Sequence, residues 1–329
     1  MPESKPVVAV LTAPGERLPE GLEALETTVD FRLANDSDSL RSALRGAQIL
    51  CVTDFRTQAV SDAWPAADKL EWIHATSAGV DALLTPEVRA SEIPVTNARG
   101  IFDRCIAEYV LGQIIAFAKD FAGNYRYQSA HEWQHRETEP VTGRSVLVVG
   151  AGSIGRTIAR LCNAVGMAVD GVGRRARPGD AEFGAIYAQA DLLSILADYD
   201  YVVIAAPLTP DTEGLFGAAE FKAMQPSARL INIGRGPIVR TADLVDALVD
   251  GEIDGAALDV FEEEPLPTDH PLWDLPNVAI SAHMAGDFIG WKRALSEQFI
   301  DNFHRWQRGE PLENIVDKAQ GFVTSGGQS

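Results

Sequence analysis

The sequence predicts an α/β protein of two doubly wound parallel-sheet domains, and three observations carry the prediction. The chain has 329 residues, a length that suits two domains better than one. Strand-length apolar runs alternate with helical patterns along most of it, as in parallel sheets covered by helices on both faces. A glycine fingerprint, Gly150-Ala-Gly152-Ser153-Ile154-Gly155, sits in the middle of the chain. Nearly 150 residues precede it, so they must build a separate unit.

In the first part, strands are expected at Val7–Thr12, Gln48–Val52, Glu71–His74 and Val95–Thr96. Helical stretches are expected at Glu16–Leu25, Ser37–Leu44 and Asp81–Thr85. From Asp103 to Lys119, Ile106, Val110, Ile114 and Phe117 recur at helical spacing without a proline, which predicts one long helix. Gly123–Gly143 is polar and aromatic, with His131, Trp133 and His135, and reads as loop plus short helix. The fingerprint unit follows, with strand Val146–Val149 running into the glycines. Later strands are expected at Ala168–Gly173, Tyr201–Ala206, Leu230–Ile233, Gly255–Leu258 and Val278–Ser281. Helices are expected near Leu192–Ala197, Ala218–Met224 and Thr241–Asp250, and a last long one over Phe288–Gln307. The Gly- and Ser-rich tail Gln320–Ser329 is expected to fray.

Composition bounds the function. Hydrophobic residues make up 46% and charged residues 23%, an ordinary balance for a globular protein. A net charge of −19 would repel nucleic acid and anionic membranes, so neither is expected as a partner. An anionic substrate would need a local positive site. A salt-adapted host is one explanation of the acidity and an ordinary acidic surface is another. Cys51, Cys105 and Cys162 are scattered, with no Cys-x-x-Cys, which argues against a disulfide framework or a zinc site. No apolar run reaches the roughly 18 residues of a membrane span. Val7–Ala13 lacks a signal-peptide layout, and a cytoplasmic protein is expected.

A strand leading into G-x-G-x-x-G and then a helix is the setting of a dinucleotide-binding turn. Gly150 makes the turn, Gly152 admits a pyrophosphate, and Gly155 lets the helix pack on the strand. An acid about 20 residues further on would bind the ribose hydroxyls of NAD. Here the second strand ends on Gly173 and is followed by Arg174 and Arg175. Arginines there suit a 2′-phosphate, so NADP is expected, with NADPH preferred over NADH. Asp170 is the competing ribose acid, although it lies too early, in mid-strand. Solvated loop charges at Arg174, Arg175 and Arg177 are the plain alternative.

Three polar segments follow strands in the second half: Ile233-Gly-Arg235-Gly, Asp259-Val-Phe-Glu-Glu-Glu264-Pro, and Ser281-Ala-His283-Met-Ala-Gly. Reduction of a 2-oxo acid needs a cation for the carboxylate, a proton donor at the carbonyl oxygen, and a hydride. Arg235 suits the first. His283 suits the second, with Glu264 sustaining its imidazolium.

With these stretches, the chain resembles the D-isomer-specific 2-hydroxyacid dehydrogenase family over about Val7 to Ile315. Ala75-Thr-Ser-Ala-Gly-Val-Asp81, the fingerprint, Ile231–Gly236, Ala257–Pro265 and His270–His283 carry the resemblance together. The double arginine resembles its NADPH-linked glyoxylate/hydroxypyruvate reductase branch. The resemblance implies a Rossmann-type cofactor domain over 101–286, inserted into a flavodoxin-like substrate domain of 1–100 and 287–329. It implies that Arg235 binds substrate and that Glu264 and His283 are the acid/base pair. The backbone N–H groups of Ser77, Ala78 and Gly79 would receive the substrate carboxylate, and Asp259 would lie near the nicotinamide carboxamide. Pro207 and Thr212, with Leu208 and Thr209, would form a loop over the cofactor, alongside Ser153, Ile154 and Ile233. It also implies a D-2-hydroxy acid product, a homodimer paired largely through the cofactor domains, and domain closure about the two long helices.

Glu264 stands where formate dehydrogenases of the superfamily carry glutamine, which disfavours formate. No C-terminal regulatory domain of the kind that phosphoglycerate dehydrogenases often carry is expected. Trp133 and Met284 are candidates to shape the substrate's side-chain pocket; for Trp133 a structural role is at least as good. His74, His131 and His135 read as structural or surface residues. The alternative function is a dinucleotide-sensing, partner-binding protein of the co-repressor type. Such a sensor would not need Arg235, Glu264 and His283 together.

Overall fold

Strands buried on both faces carry unbroken apolar runs, and the central strands of both sheets of this protein are of this kind. The computed structural model describes residues 5–53 and 57–324. The chain divides into two compact units, Met1–Ile101 with Phe288–Ser329, and Phe102–Asp287.

In the first unit, β1 (Val7–Leu11), β2 (Asp30–Ala34), β3 (Ile49–Val52), β4 (Trp72–Ala75) and β5 (Val95–Thr96) form a parallel sheet in the order β2-β1-β3-β4-β5. This is the flavodoxin-like order, with its switch point between β1 and β3. Alternate residues of β1 enter two cores. Ala9 and Leu11 face α1 (Ser37–Leu44), α2 (Gln58–Ala63) and α3 (Pro86–Ala90) in one cluster. Val8 and Val10 belong to the other, with Phe299 and Phe303 of the returning helix Trp291–Gln307.

The second unit opens with α4 (Asp103–Ala118) and α5 (Phe121–Ala130). Its sheet follows: β6 (Ser145–Val149), β7 (Ala168–Gly173), β8 (Arg177–Pro178), β9 (Ala185–Ala188), β10 (Tyr201–Ile204), β11 (Arg229–Asn232), β12 (Gly255–Leu258) and β13 (Val278–Ile280). The order is β13-β12-β11-β10-β6-β7-β9-β8, parallel except for the short β8. Six of its strands, β9-β7-β6-β10-β11-β12, repeat the Rossmann order 3-2-1-4-5-6, and β13 extends it. Leu147 and Val149 face one core cluster of this unit, and Val146 and Val148 the other. At the amino edge, buried Arg229 holds Glu139 through two hydrogen bonds of 3.1 Å and pairs with Asp254 at 2.7 Å.

Several local expectations differ from the structure, and strands β8 and β9 and helix α2 were not among the elements expected. Glu16–Leu25 is not a helix. Gly21 at φ 99° and Pro19 interrupt it, leaving only a 3-10 turn at Leu22–Leu25. Asp81–Thr85 forms turns, and the helix starts one step later at Pro86, capped by the Thr85 hydroxyl. The helix placed within Gly123–Gly143 begins earlier, at Phe121, behind an Asp120 cap on Gly123 N. Strand β2 was not expected: Asp30 and Arg32 interrupt its apolar run because it is an edge strand with exposed positions. Of the tail expected to fray, residues 325–329 lie outside the described residues.

His74 illustrates how tightly the first core is closed. It lies fully buried between Trp72 and Phe299, with ring centroids 5.8 and 5.5 Å away. The Thr96 hydroxyl accepts from Trp72 Nε1 at 2.8 Å and pairs with His74 Nδ1 at 2.8 Å. Burial pushes the His74 pKa down to about 3. In the unfolded chain it returns to about 6.5, so below that value the unfolded state binds more protons and stability falls with pH. Urea unfolding is expected to show a loss of about 2 kcal/mol between pH 7 and pH 5 from this group, and His74→Asn to remove that component.

Candidate active site

The parallel register of β11, β12 and β13 aligns their carboxyl ends, pairing Asn232 with Leu258 and Leu258 with Ile280. The three polar segments leave from this one edge. The Arg235 loop lies directly on the Glu264 loop. A Cβ at Gly236 would stand 1.8 Å from the carbonyl carbon of Phe261, so only glycine allows that approach.

Glu264 Oε2 meets His283 Nδ1 at 2.8 Å, and Oε1 accepts from the Phe261 N–H at 2.9 Å. Both side chains are about one-third exposed. Burial alone would raise the Glu264 pKa. The His283 and Phe261 hydrogen bonds, with the charges of His283 and Arg235, outweigh it and hold the carboxyl below its ordinary range. An ionised carboxylate only accepts, so Nδ1 carries a proton. Arg235 is half-buried, and its Nη1 donates to the Gly234 carbonyl at 2.9 Å.

Asp259 is buried and is engaged within its own unit. Its Oδ1 accepts from Ser281 Oγ at 2.5 Å and Met284 N at 2.9 Å, and its Oδ2 from Ala285 N at 2.9 Å. Its carbonyl accepts from His283 N at 2.8 Å. The residue holds the loop on which His283 stands. Oδ2 retains capacity for one more donor, which is compatible with a carboxamide. Ser281 and its partner Tyr109 escaped the sequence reading. Ser281 lies two residues before His283, but Tyr109 on α4 carries no local signal.

The fingerprint fits a dinucleotide by elimination. Gly150 has φ 114°, and a Cβ there would lie 2.6 Å from the Ala205–Ala206 peptide. At Gly155 it would lie 2.0 Å from the Gly150 carbonyl. Packing explains both. At Gly152 a Cβ would meet nothing within 4 Å, and φ is −82°, so nothing in the chain demands glycine there. Open space before Gly152, at the start of α6 (Ser153–Ala164) with no side-chain cap on its first amides, suits a pyrophosphate. Ser153 Oγ donates to Asp103, and Ile154 and Ile233 pack against one core cluster of this unit.

Asp170 is engaged by its own sheet unit on both carboxylate oxygens. Its Oδ2 accepts from the Tyr199 hydroxyl at 2.7 Å and its Oδ1 from Ala185 N at 2.7 Å. Beyond β7, Arg174 and Arg175 are exposed. Arg175 and Arg177 have no carboxylate partner among the described residues. Arg156 of α6 binds Asp180 at 2.7 Å and Glu182 at 2.6 Å, bracing the chain that follows these arginines. Thr212 donates to the Pro207 carbonyl at 2.7 Å and accepts from Thr209 N at 2.8 Å, so its hydroxyl shapes the loop around Leu208.

In the first unit, the turn after β4 presents amides. Ser77 Oγ donates to Gly79 O at 2.6 Å, Ala98 N to Ser77 O at 3.0 Å, and Asn97 Nδ2 to Ala78 O at 2.5 Å. The carbonyls are thus tied. The N–H groups of Ser77, Ala78 and Gly79 find no acceptor among the described residues. Trp133 is 99% exposed in the chain and Met284 is exposed beside His283. His131 and His135 are exposed.

Residues 111–285 match the family profile described as the D-isomer specific 2-hydroxyacid dehydrogenase, NAD binding domain. A glyoxylate reductase of Korarchaeum cryptofilum is 31% identical over 267 residues, 78% of this chain and 79% of that protein. The structure of an NADPH-dependent glyoxylate/hydroxypyruvate reductase of Sinorhizobium meliloti, in complex with NADP and sulfate, aligns with a TM-score of 0.83 at 28% identity, covering 97% of this chain and 100% of that one. A D-isomer specific 2-hydroxyacid dehydrogenase of Xanthobacter autotrophicus, in complex with NADPH and MES, aligns at 0.80 and 28% identity, with 97% and 100% covered. With the Glu264–His283 pair and the fingerprint in place, this chain belongs to the D-isomer-specific 2-hydroxyacid dehydrogenase family.

Proposed function

We propose that the protein reduces a small 2-oxo acid to the D-2-hydroxy acid with NADPH. The observation that carries this reading is the Glu264–His283 pair at 2.8 Å, with the Arg235 charge acting on it. A bound reduced nicotinamide would supply the hydride. His283 Nε2 hands a proton to the carbonyl oxygen as its charge develops, while Glu264 holds Nδ1 and fixes the ring. Arg235 holds the carboxylate. The Asp259 Oδ2 has room for the carboxamide. The D configuration of the product rests on family membership.

The cofactor choice rests on Arg174 and Arg175, on the commitment of Asp170 to Tyr199 and Ala185, and on the NADP-bound relatives. In a chain of −19, exposed Arg174 and Arg175, the latter with no carboxylate partner among the described residues, form a local positive spot for a 2′-phosphate. A homodimer is proposed from the exposed aromatics Phe121, Tyr125 and Trp133 around α5.

Initial rates with NADPH and NADH against glyoxylate, hydroxypyruvate, pyruvate and phenylpyruvate test the reading. Turnover is expected with NADPH, and His283→Ala is expected to lower kcat by about 10²–10⁴-fold. Dinucleotide binding without turnover on any acid would favour the sensor reading instead. Replacing Arg174 and Arg175 with serine is expected to raise KM for NADPH by about ten- to a hundredfold, and to leave that for NADH nearly unchanged. Light scattering is expected to give a dimer mass, and Trp133→Glu to lower it toward the monomer.

A further inference from the structure

The loop carrying His283 needs to be held. His283 has φ 51°, a left-handed backbone that a residue with a side chain keeps only where its surroundings impose it. Asp259 imposes it, collecting donors from Ser281, His283, Met284 and Ala285. The Ser281 hydroxyl lies between Asp259 Oδ1, at 2.5 Å, and the Tyr109 hydroxyl, at 2.7 Å.

The direction of these two bonds follows from hydrogen count. A carboxylate only accepts, so the single hydroxyl hydrogen of Ser281 points to Asp259. The Tyr109–Ser281 bond can then be made only if Tyr109 donates. The chain therefore runs from Tyr109 O–H to Ser281 O–H to Asp259, and each donor polarises the next. Burial, joined by the Asp259 charge, raises the Tyr109 pKa above its ordinary value, which keeps the phenol protonated as this direction requires.

We propose that Tyr109, acting through Ser281, is a positioning residue for the His283 acid. With Tyr109 donating, Ser281 has one hydroxyl orientation, both of its contacts are satisfied, and Asp259 Oδ1 is fixed between Ser281 and Met284 N. Without that donor the hydroxyl turns among several orientations, and the carboxylate that sets residues 283–285 loses its orientation. The Tyr109 hydroxyl acts on the loop rather than on the substrate. The catalytic part of this inference rests on the proposed reductase activity.

The experiment compares Tyr109→Phe, Ser281→Ala and Ser281→Thr with the parent protein. It reads amide hydrogen exchange at Met284 and Ala285 without ligands, and kcat and KM for the best 2-oxo acid. In Tyr109→Phe and Ser281→Ala, exchange at those two amides is expected to quicken by about tenfold, and kcat to fall by a similar factor with KM held within about twofold. The double variant Tyr109→Phe/Ser281→Ala should be no worse than Ser281→Ala alone, because the two act in series. Ser281→Thr, which keeps the hydroxyl, should restore both readouts. Parent-like exchange and kcat in Tyr109→Phe would overturn the proposal and leave the reductase reading standing. Equal acceleration of exchange across the whole unit would overturn it too, by reducing Tyr109 to a packing residue. A parent protein with no turnover on any acid would instead sink the reductase reading and the catalytic part with it.

Discussion

Parallel register is the constraint on which the second unit depends. Strands that run the same way end on the same edge, and their polar exits are gathered there whatever their distance in sequence. Arg235, Glu264 and His283 are spread over nearly 50 residues. Pairing of Asn232 with Leu258, and of Leu258 with Ile280, places their loops side by side. The close approach of Gly236 to Phe261 then removes the remaining separation between two of them. The apolar alternation that buries both sheet faces is thus also what assembles the polar site.

Much of this was readable because it depends on local chemistry. A tight turn after an apolar strand needs glycine at fixed spacing, so Gly150, Gly152 and Gly155 announce their unit. Arg235, Glu264 and His283 could be ordered because each follows a strand-like run. What stayed hidden depends on contacts between segments. The mid-strand position of Asp170 counted against a ribose acid, but not what its carboxylate binds. That required Tyr199 and Ala185, which lie beside it only in the folded sheet. Tyr109 lies 172 residues from Ser281, and no periodicity links them. The missed elements have plain causes as well: β2 is an edge strand with charged positions, and Gly21 with Pro19 ends a helical pattern that composition alone supports.

The glycines show how packing and ligand demands can be told apart. Gly150 and Gly155 are required by neighbouring backbone, so they would be needed in a protein that bound nothing. Gly152 is required by no atom of the chain. Gly152 is the N-cap of α6, where serine, threonine, aspartate or asparagine would cap a first-turn amide with its side chain and glycine cannot. Its presence where the chain makes no use of it argues for an occupant from outside, and the uncapped first turn of α6 gives that occupant an anionic character.

The same reasoning applies to charge. Acids outnumber bases 47 to 28, and several arginines of the cofactor unit are paired, Arg144 with Asp200, Arg156 with Asp180 and Glu182, Arg229 with Glu139 and Asp254. Exposed arginines in such a chain should find carboxylates easily, and surface pairs cost little to form. Arg175 and Arg177 find none among the described residues, although Asp180 and Glu182 are close in sequence. Those two acids are occupied by Arg156, which belongs to the fingerprint helix. One arginine of the helix therefore draws away the nearby negative charge, leaving the end of β7 positive in an otherwise acidic protein. That local inversion is what a phosphate on the adenosine ribose would require.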